Sequence, residues 1–198
     1  MDPFSAEGEL VNIHTAFIQG QYQQVLSDFN SSSFSDSNRI PVQVIRYRAQ
    51  CELGQVSEVL AAITAADASS VPDLAAVRAY ATFLSKGPQD EKAVTDAEKL
   101  AEEQGDNLTV QLLCGAVLAR AGKPEQALQL LAKHQGSLDA VALIVQIHLS
   151  QNRTDLAVKE AKGARSFAQD ALLVNLAESW IGIRQVCLFA FASTRTAR

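Results

Sequence analysis

The sequence predicts an all-α fold, a right-handed superhelical solenoid of helix pairs, and three observations carry that prediction. The first is composition. Among 198 residues there are 31 Ala and 22 Leu against 10 Gly and 5 Pro, and alanine and leucine are strong helix formers. The second is a period. Val25, Val59, Ala93 and Ala127 stand 34 residues apart, and Phe29, Ile63, Ala97 and Leu131 follow four residues behind each. The third is punctuation at the same interval. Gly20 and Gly54 are 34 apart, Gly54 and Gly122 are 68 apart, and Gly87-Pro88 sits midway between the latter two.

The elements follow in order. Residues 7–19 form a first helix that Gly20 closes, because a left-handed residue there satisfies the last helical carbonyls. Residues 22–30 form its partner, with Val25 where the two helices cross and Phe29 one turn on, packed inward. "SSSFSDSN" (31–38) is a polar loop. The second unit pairs 41–53, stopped by Gly54, with 56–67. The third pairs 73–86 with 90–104, and Asp90 to Asp106 holds seven acids and two lysines, a solvated face. The fourth pairs 107–121 with 124–134. In its "GKPEQALQLL", Gly122 stops one helix, Pro124 sits in the first turn of the next, and Glu125 suits its positive end. The fifth, 138–151 and 154–167, comes four residues early, with Asn152, Ala157 and Ala161 in the three columns. A further first helix runs over 170–184. A period of 34 with two helices per unit is the tetratricopeptide signature. No linker interrupts residues 1–184, which read as one array. Residues 185–198 match no column and read as a poorly ordered tail outside it.

Other classes are excluded in turn. With 17 basic and 22 acidic residues the net charge is −5, without the basic surplus of a nucleic-acid binder. Cys51, Cys114 and Cys187 are too far apart for a disulfide framework or a CxxC metal site. The start, "MDPFSAEGEL", lacks the features of a secretion signal, and the longest apolar run, Val186 to Ala192, is far short of a membrane span. A soluble, reduced, intracellular protein is expected. His14, His134 and His148 form no metal-binding pair, and His148 takes a column where the repeat carries Tyr. Tyr22, Tyr47 and Tyr80 sit at packing columns. No phosphate loop, dinucleotide fingerprint or nucleophile elbow occurs. Catalysis, cofactors, metals and a small-molecule substrate are therefore not expected.

Stacked helix pairs leave an inner surface lined by their first helices. In register, the columns facing it give Phe17 and Ile18, then Val44, Ile45 and Arg48, then Arg78, Leu112 and Leu113, and then Leu143 and Leu149. This is an apolar strip with a few basic residues, suited to a protein partner. Tilted helices would instead make the same residues core, and the columns alone leave both readings open.

Four segments, "AFIQGQYQQVL" (16–26), "IRYRAQ" (45–50), "VPDLAAVRAYATFL" (71–84) and "VALIVQIHLSQNRTDLAVKEAK" (141–162), resemble the epsilon subunit of coatomer, the COPI vesicle coat. Their order and spacing fit that family over roughly residues 9–184. "VPDLAAVRAYATFL" and "VQIHLSQNRTDLA" are the most specific, since they lie partly outside the generic repeat columns. The resemblance implies a non-catalytic solenoid that grips the C-terminal domain of the alpha subunit of coatomer. It also implies work in Golgi-to-endoplasmic-reticulum and intra-Golgi traffic, peripheral to the Golgi and COPI vesicle membrane. The chain departs from the family after Arg184, where "QVCLFAFASTRTAR" replaces the next helix pair, as in a truncated or alternatively spliced form. The alternative is a tetratricopeptide adaptor of the co-chaperone type. Such clamps use Lys, Asn and Arg where this chain has Leu10, His14, Ile45, Ala75 and Ala79, so the sequence favours the coat subunit.

Overall fold

The computed structural model describes residues 8–195, with side chains through Val186 except at Ala65. Among these residues there are twelve α-helices, two short 3-10 turns and no strand. The helices are α1 Val11–Ile18, α2 Tyr22–Asp28, α3 Arg39–Glu52, α4 Val56–Ala62, α5 Ala65–Ser70 and α6 Pro72–Lys86. They continue with α7 Glu91–Glu103, α8 Leu108–Arg120, α9 Pro124–Leu131, α10 Leu138–Ser150, α11 Thr154–Phe167 and α12 Leu172–Arg195. Five helix pairs and a further helix are thus present, as the period predicts. The chain divides into two compact units at His134/Gln135.

Within residues 8–134 the pairs are α1/α2, α3/α4, α6/α7 and α8/α9, and each first helix packs on the first helix before it. The crossing column is closed to solvent: Val25, Val59 and Ala127 are fully buried and Ala93 nearly so. Of the next column, Ile63, Ala97 and Leu131 are buried, while Phe29 is half-buried. The punctuation column behaves as its chemistry demands. Gly20, Gly54 and Gly122 have φ of 76°, 80° and 79°, and each is followed by a residue whose N–H reaches back to the helix. Gln21 donates to the Ala16 carbonyl at 2.9 Å, Gln55 to Gln50 at 2.9 Å and Lys123 to Leu118 at 2.9 Å, the two-bond glycine cap. The third unit cannot use this device, because Pro88 has no N–H. Gly87 instead takes φ 86°, ψ 173° and donates to Phe83 at 2.8 Å.

Two expectations about helix bounds need correction, one in the second unit and one at the last helix. The second helix of the second unit does not run unbroken over 56–67. It stops at Ala62, Ile63 turns extended, and Thr64 opens α5 with a capping box to Asp67. A local cap thereby overrides the helix-forming alanines on either side. The polar loop 31–38 is ordered as two 3-10 turns. The Glu9 carboxylate accepts from the Ser35 N–H at 2.9 Å, the Ser35 hydroxyl at 2.6 Å and the Asn38 amide.

Within residues 135–195, α10, α11 and α12 close around Val141, Val145, Ala157, Ala161, Ala164, Val174, Ala177 and Ile181. Asn152, with φ 60°, takes the place of the cap glycine, and Arg153 donates to His148 at 2.8 Å. The second correction falls at the end. α12 does not stop near 184: the backbone stays helical to Arg195. After Gly182 no glycine or proline interrupts it, and leucine and alanine offset the β preference of its neighbours. Whether the side chains beyond Val186 join a core lies outside the described residues, as do residues 196–198. Among the described residues no helix is long and apolar enough to cross a membrane.

Candidate functional site

Each first helix of residues 8–134 after α1 carries one polar side chain that turns back onto the end of the preceding second helix. Arg46 on α3 donates to the carbonyls of Val25, Leu26 and Phe29, at and beyond the end of α2. Arg78 on α6 donates to the Ile63 carbonyl after α4. Gln111 on α8 donates its amide to Gly105, beyond the end of α7, at 2.9 Å. These groups satisfy carbonyls that helix ends leave open. Arg78, expected on the partner-facing side, is therefore occupied by a structural contact.

The expected partner residues divide by burial. Val44, Ile45 and Leu113 are only 5%, 7% and 4% exposed, and Ile45 belongs to the cluster that includes Ile13, Val25 and Val42. Phe17, Ile18, Arg48 and Leu112 are half-buried and present surface. In residues 135–195, Leu143 is half-buried, and Leu149 packs partly against the core cluster of that unit. The structure brings together two residues of the strip directly: the Arg48 guanidinium carbon lies 4.5 Å from the centroid of the Phe17 ring. The Tyr22 ring stands 5.5 Å from the Phe17 ring.

A row of side chains continues from there. Glu52, one turn after Arg48, accepts from the Tyr80 hydroxyl at 3.2 Å. Arg120 donates to the same hydroxyl at 3.3 Å, with its guanidinium carbon 5.8 Å from the Tyr80 ring centroid. Burial pushes the Tyr80 phenol up from its ordinary value, Glu52 adds to the rise, and Arg120 opposes it. The row Phe17, Arg48, Glu52, Tyr80 and Arg120 thus links α1, α3, α6 and α8. Glu52 and Arg120 escape the sequence reading, and Tyr80 reads there only as packing. Their partners lie 28 and 40 positions away, and no local motif marks them. The only sequence signal is an Arg or Glu in the last turn or two of α3 and α8.

The row combines cations with aromatic faces, the composition that dominates protein-binding energetics. It holds no nucleophile beside a base. Among the described residues no three His, Cys, Asp or Glu side chains are grouped so as to hold a metal. His148 is buried within its own unit, so of the core and groove placements open to its column the structure takes the core.

Comparison with known proteins gives one family. The family model for the coatomer epsilon subunit matches residues 6–187. Coatomer subunit epsilon-1 of Arabidopsis thaliana is 26% identical over 188 residues, covering 92% of this chain and 62% of the relative. Coatomer subunit epsilon of Caenorhabditis elegans is 29% identical over 175 residues, covering 87% and 59%. A probable coatomer subunit epsilon of Schizosaccharomyces pombe is 28% identical over 180 residues, covering 90% and 57%. The chain spans about three fifths of the length of these curated relatives.

Proposed function

The chain belongs to the coatomer epsilon subunit family, and from that premise we propose that it serves as a non-catalytic structural subunit of the COPI vesicle coat. The observation that carries this reading is the extent of the family match, residues 6–187, which takes in all five helix pairs and the start of α12. The finer reading is that it holds the C-terminal domain of the alpha subunit of coatomer against its first helices. It acts there in Golgi-to-endoplasmic-reticulum and intra-Golgi transport. Phe17, Arg48 and Leu112 in one unit, and Leu143 in the other, support this reading because they keep surface available on first helices. The chain works in the cytoplasm and meets the Golgi and COPI vesicle membrane through the coat.

The test is recovery and reconstitution. The tagged chain, incubated with cell extract, should co-purify the alpha subunit and other coat subunits. Purified alpha C-terminal domain should then bind the chain directly. Leu112→Asp, and separately Leu143→Asp, should each weaken that binding about tenfold or more, because an interface must bury an unpaired carboxylate. Circular dichroism should remain unchanged at both half-exposed positions. Absence of the alpha domain from both experiments would sink the reading, and wild-type affinity in both variants would move the contact away from these helices.

A further inference from the structure

Charge is unevenly divided between the two helix layers of residues 8–134. The first helices α1, α3, α6 and α8 carry six basic and two acidic residues, whereas the second helices α2, α4, α7 and α9 carry two basic and eight acidic ones. Four of the six basic groups are engaged. Arg46 and Arg78 sit on carbonyls, Arg39 pairs with Asp36 at 2.9 Å, and Lys86 pairs with Asp90 at 3.0 Å. The other two, Arg48 and Arg120, lie against the rings of Phe17 and Tyr80, and Arg120 also donates to the Tyr80 hydroxyl at 3.3 Å. Among the described residues no carboxylate stands within ion-pair distance of either.

The Arg48 guanidinium, over the Phe17 ring, is attracted through its face and its N–H donors lie in its plane, while Arg120 gives one N–H to the Tyr80 hydroxyl at 3.3 Å and keeps the other four of its five donors. That planar fork fits a carboxylate with two parallel hydrogen bonds. Glu52 stands between the two arginines along the row and is held by Tyr80, so it repels a carboxylate at the centre while leaving the two ends open. We infer that this face recognises an acidic polypeptide segment, whose Asp or Glu side chains engage Arg48 at one end of the row and Arg120 at the other. The acidic second-helix layer repels the same segment and so sets the side on which it lands. An anionic membrane would need a broad basic patch, and two arginines separated by a carboxylate do not make one. The inference rests on the reading that the first helices hold the coat partner, and it narrows that partner's chemistry.

The test uses the full chain and a fluorescently labelled peptide of alternating glutamate and leucine, with a glutamine–leucine peptide as control. Anisotropy should report binding of the glutamate peptide, weakening as salt is raised, and much weaker binding of the control. Arg48→Gln with Arg120→Gln should lower the affinity for the glutamate peptide about tenfold or more, with the melting midpoint unchanged. Should that variant fold poorly, the wild-type salt titration and the glutamine control decide the matter alone. Equal binding of the two peptides, an unaffected double variant, or capture of phosphatidylserine vesicles in place of the peptide overturns the inference. The alpha C-terminal domain provides the second arm. If it binds wild type and double variant alike, the coat reading stands and this inference falls. If it binds neither while the glutamate peptide still discriminates between them, this inference stands and the coat reading falls.

Discussion

At Asn152 the backbone adopts φ 60° without the freedom of glycine, and its side-chain oxygen accepts from Arg184. Asparagine tolerates the left-handed region better than other residues with a Cβ. Asn152→Ala should therefore cost about 1–2 kcal/mol, and Asn152→Gly only a few tenths, as urea unfolding would measure. Equal losses in both variants would place the stabilisation in the Arg184 contact and not in the backbone. The cysteines make a second prediction. Burial pushes the Cys51 thiol up to about 11, with Glu52 adding to the shift and Arg48 opposing it, and burial alone pushes Cys114 up to about 12. Raised values keep both groups as neutral thiols through pH 8, and the thiolate is the reactive form. In a Cys187→Ser background, Ellman's reagent should react with them only upon unfolding. Rapid reaction of the native protein at pH 8 would contradict that placement. Single residues also mark where the sequence stops being informative. A repeat column specifies a helix face to within a residue or so, and a small tilt decides whether Val44, Ile45 and Leu113 meet solvent or the neighbouring helix. The columns offered both readings, and burial assigns these three to the interior.

Helices were legible because each is bounded by chemistry of short range. Glycine or asparagine at the left-handed cap, Pro124 in a first turn, and Asp90 and Asn107 as N-caps all act within four residues. What joins one helix to another was not legible, because half of each contact is a backbone carbonyl that every residue possesses. Nothing local distinguishes Arg46, tied to the end of α2, from Arg48, stacked on Phe17. Arg46→Met should remove charge-assisted bonds to three carbonyls and cost about 1.5–3 kcal/mol, with amide exchange accelerated chiefly in α2. Uniform acceleration across α1 to α9 would show that the contact serves the whole unit. Gly115, inside α8, tests packing against propensity. A Cβ there would meet three side-chain atoms of Leu131 at 3.2–3.4 Å, and Leu131 is fully buried. Gly115→Ala gains up to about 1 kcal/mol of helix propensity but overpacks a fixed neighbour by about 1–3 kcal/mol. A net loss near 1 kcal/mol is expected, and a higher melting midpoint would mean that Leu131 yields.

For the molecule as a whole, a 34-residue period was enough to foretell five helix pairs and a sixth opening helix, because every unit repeats the same packing problem. Departures from the period, α5 and the extension of α12 to Arg195, were not foreseen, since each depends on a local preference that the period does not encode. Ile183 and Val186 on α12 are 64% and 69% exposed, so the helix enters its last stretch with an uncovered apolar side. Removing residues 186–198 should leave the melting temperature unchanged and improve solubility. A drop of several degrees would show that this end of α12 contributes to stability. The carbonyl contacts of Arg46, Arg78 and Gln111 have one more consequence. In residues 8–134 they tie each unit only to the unit before it, in the manner of links in a chain. Tension applied to the two ends of that segment would then be released link by link, each step freeing about 34 residues and roughly 110 Å of contour. A segment built in this way would lengthen in increments under load, absorbing strain one unit at a time.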